Sequence, residues 1–450
     1  MKEMGVNSYR FSIAWTRILP RGTCEYINEE GIAHYNKVIN ELLKNDIEPI
    51  VTLYHWDLPL ALEQKYSGWL SSNIVEDFTN YADLCFDNFG DRVKKWITIN
   101  EPWTFATMGY VFGAFAPGRC SDRLKCASGD SATEGYIVGH NVLLSHASAV
   151  HLYRHKYQNQ QGVIGITLNM DWAEPLTDNI EDIEAAERRN EFSIGWFADP
   201  LVYGRYPQSM IDLVGDRLPK FSVEQQQKLI GSFDFYGLNH YSSKYFSNSD
   251  HSGNHDSTNT VDGWGSDQRT FESKVDINGE EIGPQAASSW LNVVPWGILK
   301  VLRWNYSRYS DQYYKITNKK FYIIITENGC DAPGEDENPL DLLQLNDSFR
   351  INYLSSYLHY VDVAIQEGID VRGYFVWSLL DNFEWADSYT KRFGLFYVDF
   401  TDPRRTRYPK LSSSWYSQYI KSKYQSDRRP QNYWINLFYR SVEAVYFGVP

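Results

Sequence analysis

Short apolar runs alternate along the chain with longer segments in which apolar residues recur every three or four positions. Residues 8–13, 48–53, 93–101, 163–168, 233–238, 322–326 and 371–377 are the short runs. Rich in β-branched and aromatic residues, they predict seven buried strands. Residues 28–44, 71–89, 131–157, 180–197, 293–315 and 340–366 carry the longer period and predict helices, the first capped by Asn28 and the second stopped by Gly90. Strands alternating with helices of this length imply a parallel sheet with the helices outside it. Two stretches break the pattern. Residues 242–288, rich in Ser, Asn, Asp, Gly and Thr, have no period and predict a long loop at the mouth of the sheet. After residue 424, the polar Gln425 to Gln431 and an aperiodic mixture of charge and aromatics predict a tail outside the domain. The expected division is therefore one domain over 1–424 and an atypical tail over 425–450.

Two of the strands end in carboxyls. Ile97-Thr98-Ile99-Asn100 runs into Glu101-Pro102, and Ile323-Ile324-Ile325-Thr326 runs into Glu327-Asn328-Gly329. A residue that cannot continue the strand follows each glutamate closely, so each side chain is delivered to an edge. A glutamate in such a place is, taken singly, most often a solvated loop carboxylate. If both strands belong to one parallel barrel, however, both carboxyls stand at its C-terminal mouth, and facing carboxyls are the apparatus of glycoside cleavage.

The segments Thr98-x-Asn100-Glu101-Pro102 and Ile325-Thr326-Glu327-Asn328-Gly329, in this order, resemble the two signatures of glycoside hydrolase family 1, the β-glucosidases. The likeness is to plant members and runs from about Met4 to about Tyr419. It implies an α/β fold, a (β/α)8 TIM barrel, and retaining hydrolysis of β-O-glucosides with Glu101 as general acid/base and Glu327 as nucleophile. Arg10, in Tyr9-Arg10-Phe11-Ser12, matches the arginine that supports the nucleophile. His55, Asn100, Asn239, Tyr241, Trp377, Glu384, Trp385 and Phe393 match the family's sugar-site residues. Relatives that cleave 6-phosphoglycosides carry Ser where Glu384 stands, so the acid implies an unphosphorylated sugar. Thioglucosidases carry Gln where Glu101 stands, so the intact acid implies an O-glycoside, with an apolar aglycone from plant secondary metabolism as the expectation. The rival readings are a transglycosidase, which passes the glucosyl group to an acceptor alcohol, and an inactive sugar-binding relative.

Composition narrows the partners. A formal charge of −14 without a clustered basic stripe argues against nucleic acid or an anionic membrane, and leaves a small neutral glucoside as the expected partner. The longest uncharged run, 102–118, is too short and too broken by Pro and Gly to span a bilayer. No metal or organic cofactor is implied. The five cysteines form no C-x-x-C pair. Cys120 and Cys126 match a loop disulfide of plant family members, which implies an oxidising compartment and a secretory route, to vacuole or apoplast. The family barrel has a strand-helix unit before the strand that 8–13 matches. Only seven residues precede that strand here, so the expectation is a barrel lacking its first unit and open between 8–13 and 371–377.

Overall fold

The structure is a computed structural model that describes residues 1–248, 262–335 and 345–426. Its frame is one seven-stranded parallel sheet: β1 (Ser8–Ser12), β2 (Glu48–Tyr54), β3 (Lys95–Asn100), β4 (Val163–Asn169), β5 (Phe235–Asn239), β6 (Ile323–Asn328) and β7 (Val371–Val376), hydrogen-bonded in that order. The connecting segments carry helices α1 (Glu29–Lys44), α2 (Asn73–Phe89), α3 (Pro102–Tyr110), α4 (Glu134–Lys156), α5 (Ile180–Asn190), α6 (Pro295–Thr317) and α7 (Ser348–Gln366), with α8 (Leu411–Ser426) after β7. This is the (β/α)8 barrel architecture, of which the described residues supply seven strands. Among them β1 and β7 do not pair with each other. A crevice of about 620 Å³ lies between these two edges, lined by Ser8, Tyr9, Tyr374 and Val376.

Strand alternation explains the packing. Ile50, Ile97, Phe235 and Ile324, from four different strands, meet in one small buried cluster inside the barrel. Their neighbours Val51, Trp96, Ile323 and Ile325 belong to the large cluster that the helices cover. Residues i and i+1 of one strand therefore serve two cores, which is why these strands read as continuous apolar runs.

Several boundaries differ from expectation. The helix predicted over 180–197 is α5, a π-helical turn over Glu191–Gly195, and a further helix Trp196–Tyr203. The first helix does begin after Asn28, but the Asn28 amide caps no helix N–H; it donates to the Arg17 carbonyl at 2.9 Å. The predicted loop over 242–288 is structured in its described parts. Ser243–Ser247 pairs with Trp172–Pro175 and Phe271–Ser273 in a three-stranded sheet above the barrel mouth. Strands of three to five residues are too short to show a period, so polar composition alone was legible there. Of the helix expected over 340–366, the described part begins at Ser348. Residues 340–344 of that segment, 249–261 of the predicted loop, and 427–450 of the predicted tail lie outside the described residues.

Candidate active site

Four strands carry the central side chains, Arg10 from the middle of β1 and Asn100, Asn239 and Glu327 from the C-terminal ends of β3, β5 and β6. Glu101, one residue beyond β3, takes a left-handed conformation at φ 44° and directly precedes α3, whose first residue is Pro102. This conformation is rare for a side chain with a Cβ and is held only where its surroundings demand it. Here it turns the chain sharply from strand to helix. Irregular register beside Asn100 in the β3–β4 pair and beside Asn239 in the β5–β6 pair marks the same level of the barrel.

Both glutamates are buried, Glu101 at 7% exposure and Glu327 at 4%, and they keep different company. The Arg10 guanidinium donates to Glu327 Oε1, and Tyr241 donates to Oε2 at 2.8 Å. A cation on one oxygen and a phenol on the other is the bonding of an ionised carboxylate. Tyr241 is itself fixed, because its carbonyl accepts from the hydroxyls of Tyr353 and Tyr357 at 2.8 and 2.9 Å. Among the described residues Glu101 receives only neutral donors, Asn239 Nδ2 at 2.6 Å and Thr104 Oγ1 at 2.8 Å. Burial, and after it the negative charge of Glu327, pushes Glu101 up to about 8, so that it holds its proton at neutral pH. Burial therefore outranks the neighbouring anion in splitting the pair.

A polar relay joins the two carboxyls. Arg10 Nη2 donates to Asn100 Oδ1 at 2.6 Å, and Asn239, which holds Glu101, reaches the same oxygen at 3.3 Å. Asn100 Nδ2 meets His55 Nε2 at 3.0 Å. Burial, reinforced by Arg10, lowers His55 well below its ordinary value, so its ring is neutral and Nε2 accepts. His55, Glu101, Asn239, Tyr241, Glu327, Trp377, Glu384, Trp385 and Phe393 all line one cavity of about 430 Å³ at the barrel mouth, while Arg10 and Asn100 stand behind it and brace its acids. Glu384 is pushed up to about 8, by burial first and Glu327 second. The Cys120–Cys126 disulfide closes the loop after α3, and Arg119 in that loop bonds Glu134 of α4.

A family model for glycosyl hydrolase family 1 matches residues 1–425. The chain belongs to this family. It is a glycosidase. It is 48% identical over 424 residues to β-glucosidase 24 of Oryza sativa subsp. japonica, covering 93% of this chain and 81% of that one. It is also 48% identical to the furostanol glycoside 26-O-β-glucosidase of Hellenia speciosa, over 94% of this chain and 72% of the other. The crystal structure of the rice Os3BGlu6 β-glucosidase matches with a TM-score of 0.85 at 46% identity, across 93% of this chain and 85% of that chain.

The family 1 cavity also contains side chains that sequence reasoning missed. Trp56 donates to the Asn100 carbonyl at 2.9 Å and packs at a tilt against Trp385, their ring centres 4.2 Å apart, so it sets the wall on which that ring rests. Its position directly after His55 was the available signal. Thr104, three residues beyond Glu101, is one helical turn into α3 and bonds back to it. Asp171 and Arg189, from the connection between β4 and β5, and Lys244, Trp264 and Glu272, from that between β5 and β6, reach the same cavity, and no local motif announces them.

Proposed function

We propose that this family 1 glycosidase is a retaining β-glucosidase in which Glu327 is the nucleophile and Glu101 the general acid and base. One observation carries the reading. Two buried carboxyls share a cavity, one bonded as an anion by Arg10 and Tyr241, the other kept protonated by burial beside that anion. Cleavage of a glycoside needs both forms at once.

In this reading Glu327 attacks the anomeric carbon while Glu101 passes its proton to the glycosidic oxygen, and the aglycone departs as a neutral alcohol. The glucosyl group is then esterified to Glu327. Glu101, now ionised, takes a proton from water as the water oxygen attacks the same carbon, which returns Glu327 as a carboxylate and gives β-glucose. Neutral His55, Asn239 and Glu384 offer hydrogen bonds to the sugar hydroxyls, Asn100 holds His55 and Asn239 from behind the cavity, and Trp377, Trp385 and Phe393 offer flat apolar faces to the sugar ring. The names of the similar plant proteins, β-glucosidases among them, support glucose as the sugar. The Cys120–Cys126 disulfide supports a secretory route. Proton NMR of a β-glucoside digest tests the reading: the first-formed sugar should be the β-anomer, and α-glucose as first product would overturn it.

A further inference from the structure

Beside the sugar cup the cavity has a second aromatic group, built round a cation. Arg189, near the C-terminal end of α5, is 8% exposed, and its guanidinium lies 4.8 Å from the Trp264 ring centre, 5.2 Å from Trp103 and 5.3 Å from Phe246. All four residues line the cavity that holds both glutamates. Arg189 Nη1 is buried without a hydrogen-bond partner among the described residues. The nearby acids do not supply one: Glu272 is paired with Lys244 at 2.5 Å, and Asp171 accepts from the Ser242 backbone N–H at 3.3 Å. Trp103 Nε1, on the same wall, is likewise a buried donor without a partner.

A buried guanidinium lacking an acceptor is costly to maintain, and rings packed on its faces leave its edge as the hydrogen-bonding surface. That edge matches a carboxylate, which takes two N–H groups at once. The place in the cavity identifies which part of a substrate it would meet. His55, Trp56, Trp377 and Trp385 form one group of contacting rings, whereas Trp103, which follows Glu101-Pro102 directly, belongs with Arg189 and Trp264 to a second group. Glu101 protonates the leaving oxygen in the proposed reaction, so the Arg189 side faces the aglycone.

We propose that Arg189 is a specificity residue that receives a carboxylate carried on a flat, apolar aglycone, so that this enzyme prefers glucosides of aromatic hydroxy acids to their neutral counterparts. The inference rests on the β-glucosidase reading, and it replaces the expectation of an apolar aglycone with an amphiphilic one. The probes are the β-glucosides of 4-hydroxybenzoate and 4-hydroxycinnamate, each paired with its carboxamide. Binding is read by calorimetry on S-linked analogues and turnover on the O-linked compounds. The wild type should bind at least one carboxylate on the order of 10- to 100-fold more tightly than its amide, the range of a charge-assisted bond. Arg189→Met should bring that ratio to within roughly threefold of one, and Arg189→Lys, which keeps the charge but not the fork, should fall between. A purely structural role for Arg189 would lower both ligands of a pair alike and leave the ratio where it was. A wild-type ratio near one for both pairs, or an unchanged ratio in Arg189→Met, overturns the proposal; should that variant not fold, the wild type and Arg189→Lys decide it. Carboxylate-selective binding without turnover of any O-linked compound would overturn the glucosidase reading and leave the carboxylate site standing.

Discussion

At the scale of single residues, the site works by giving two glutamates different neighbours. Glu101 is pushed up to about 8, so its folded form keeps a proton that an unfolded carboxyl loses near its ordinary value. Between those limits the folded state binds more protons than the unfolded one, so this carboxyl's contribution to stability falls as pH rises through the window. In the proposed mechanism the same proton is the one delivered to the leaving oxygen, and kcat/KM should therefore fall above about pH 8. Glu101→Gln, assayed on an aryl glucoside whose leaving group needs no proton, should lose that alkaline limb. Glu384 is raised equally, to about 8, which makes the comparison decisive. A limb that survives in Glu101→Gln and vanishes in Glu384→Gln would assign it to the wrong carboxyl. Glu384 has its own test, since Glu384→Ser removes a hydroxyl partner and a carboxyl that repels phosphate once it ionises, at about pH 8 and above. The ratio of 6-phosphoglucoside to glucoside hydrolysis should rise, and a constant ratio would take Glu384 out of the sugar site.

At the scale of elements, strand ends do the positioning, and this much was legible in the sequence. The apolar runs leading into Glu101 and Glu327 marked two strands and their final side chains because period and termination coincide there. The three-stranded sheet above the mouth and the helix break at Glu191–Gly195 were not legible, since both depend on contacts made across the fold. Arg189 shows the limit most clearly. It is the second of two adjacent arginines in a charged helix, and only the tertiary arrangement of Trp103, Trp264 and Phe246 distinguishes it from its half-buried neighbour Arg188. Gly329, by contrast, has a role that the Glu-Asn-Gly motif hints at. A Cβ there would stand 1.9 Å from the Trp377 carbonyl oxygen, so β6 and β7 can meet at the mouth only around glycine. Gly329→Ala should cost about 1–3 kcal/mol in denaturant unfolding and raise KM by displacing Trp377. An alanine variant with native stability and KM would show that the two backbones have room to separate.

At the scale of the whole molecule, a buried charge network ties the segments after β6 to those after β7. Arg350 of α7 binds Glu335 at 2.6 and 2.9 Å and also Asp347; Lys410 reaches Glu335 at 3.2 Å and Asp381 at 3.0 Å; Arg392 reaches Asp381 at 2.8 Å. Residues 377–393, which include Trp377, Glu384, Trp385 and Phe393, run through this network, so it holds one side of the cavity. Arg350→Met would leave Glu335 and Asp347 short of their main cation and should cost about 3–5 kcal/mol, read as a lower denaturation midpoint; a shift of under 1 kcal/mol would mean that Lys410 suffices. The alternation of strand and helix made the barrel architecture readable, whereas this network joins Glu335, Asp381 and Lys410, too far apart in sequence to form any pattern. The central claim, that Glu327 attacks the sugar directly, is tested most directly by trapping. Incubation with a 2-deoxy-2-fluoro-β-glucosyl donor bearing a good leaving group, followed by peptide mass mapping, should find one fluoroglucosyl group on the peptide that contains Glu327. Label on the peptide that contains Glu101 instead, or turnover of the donor with no covalent adduct and an α-configured product, would contradict the account.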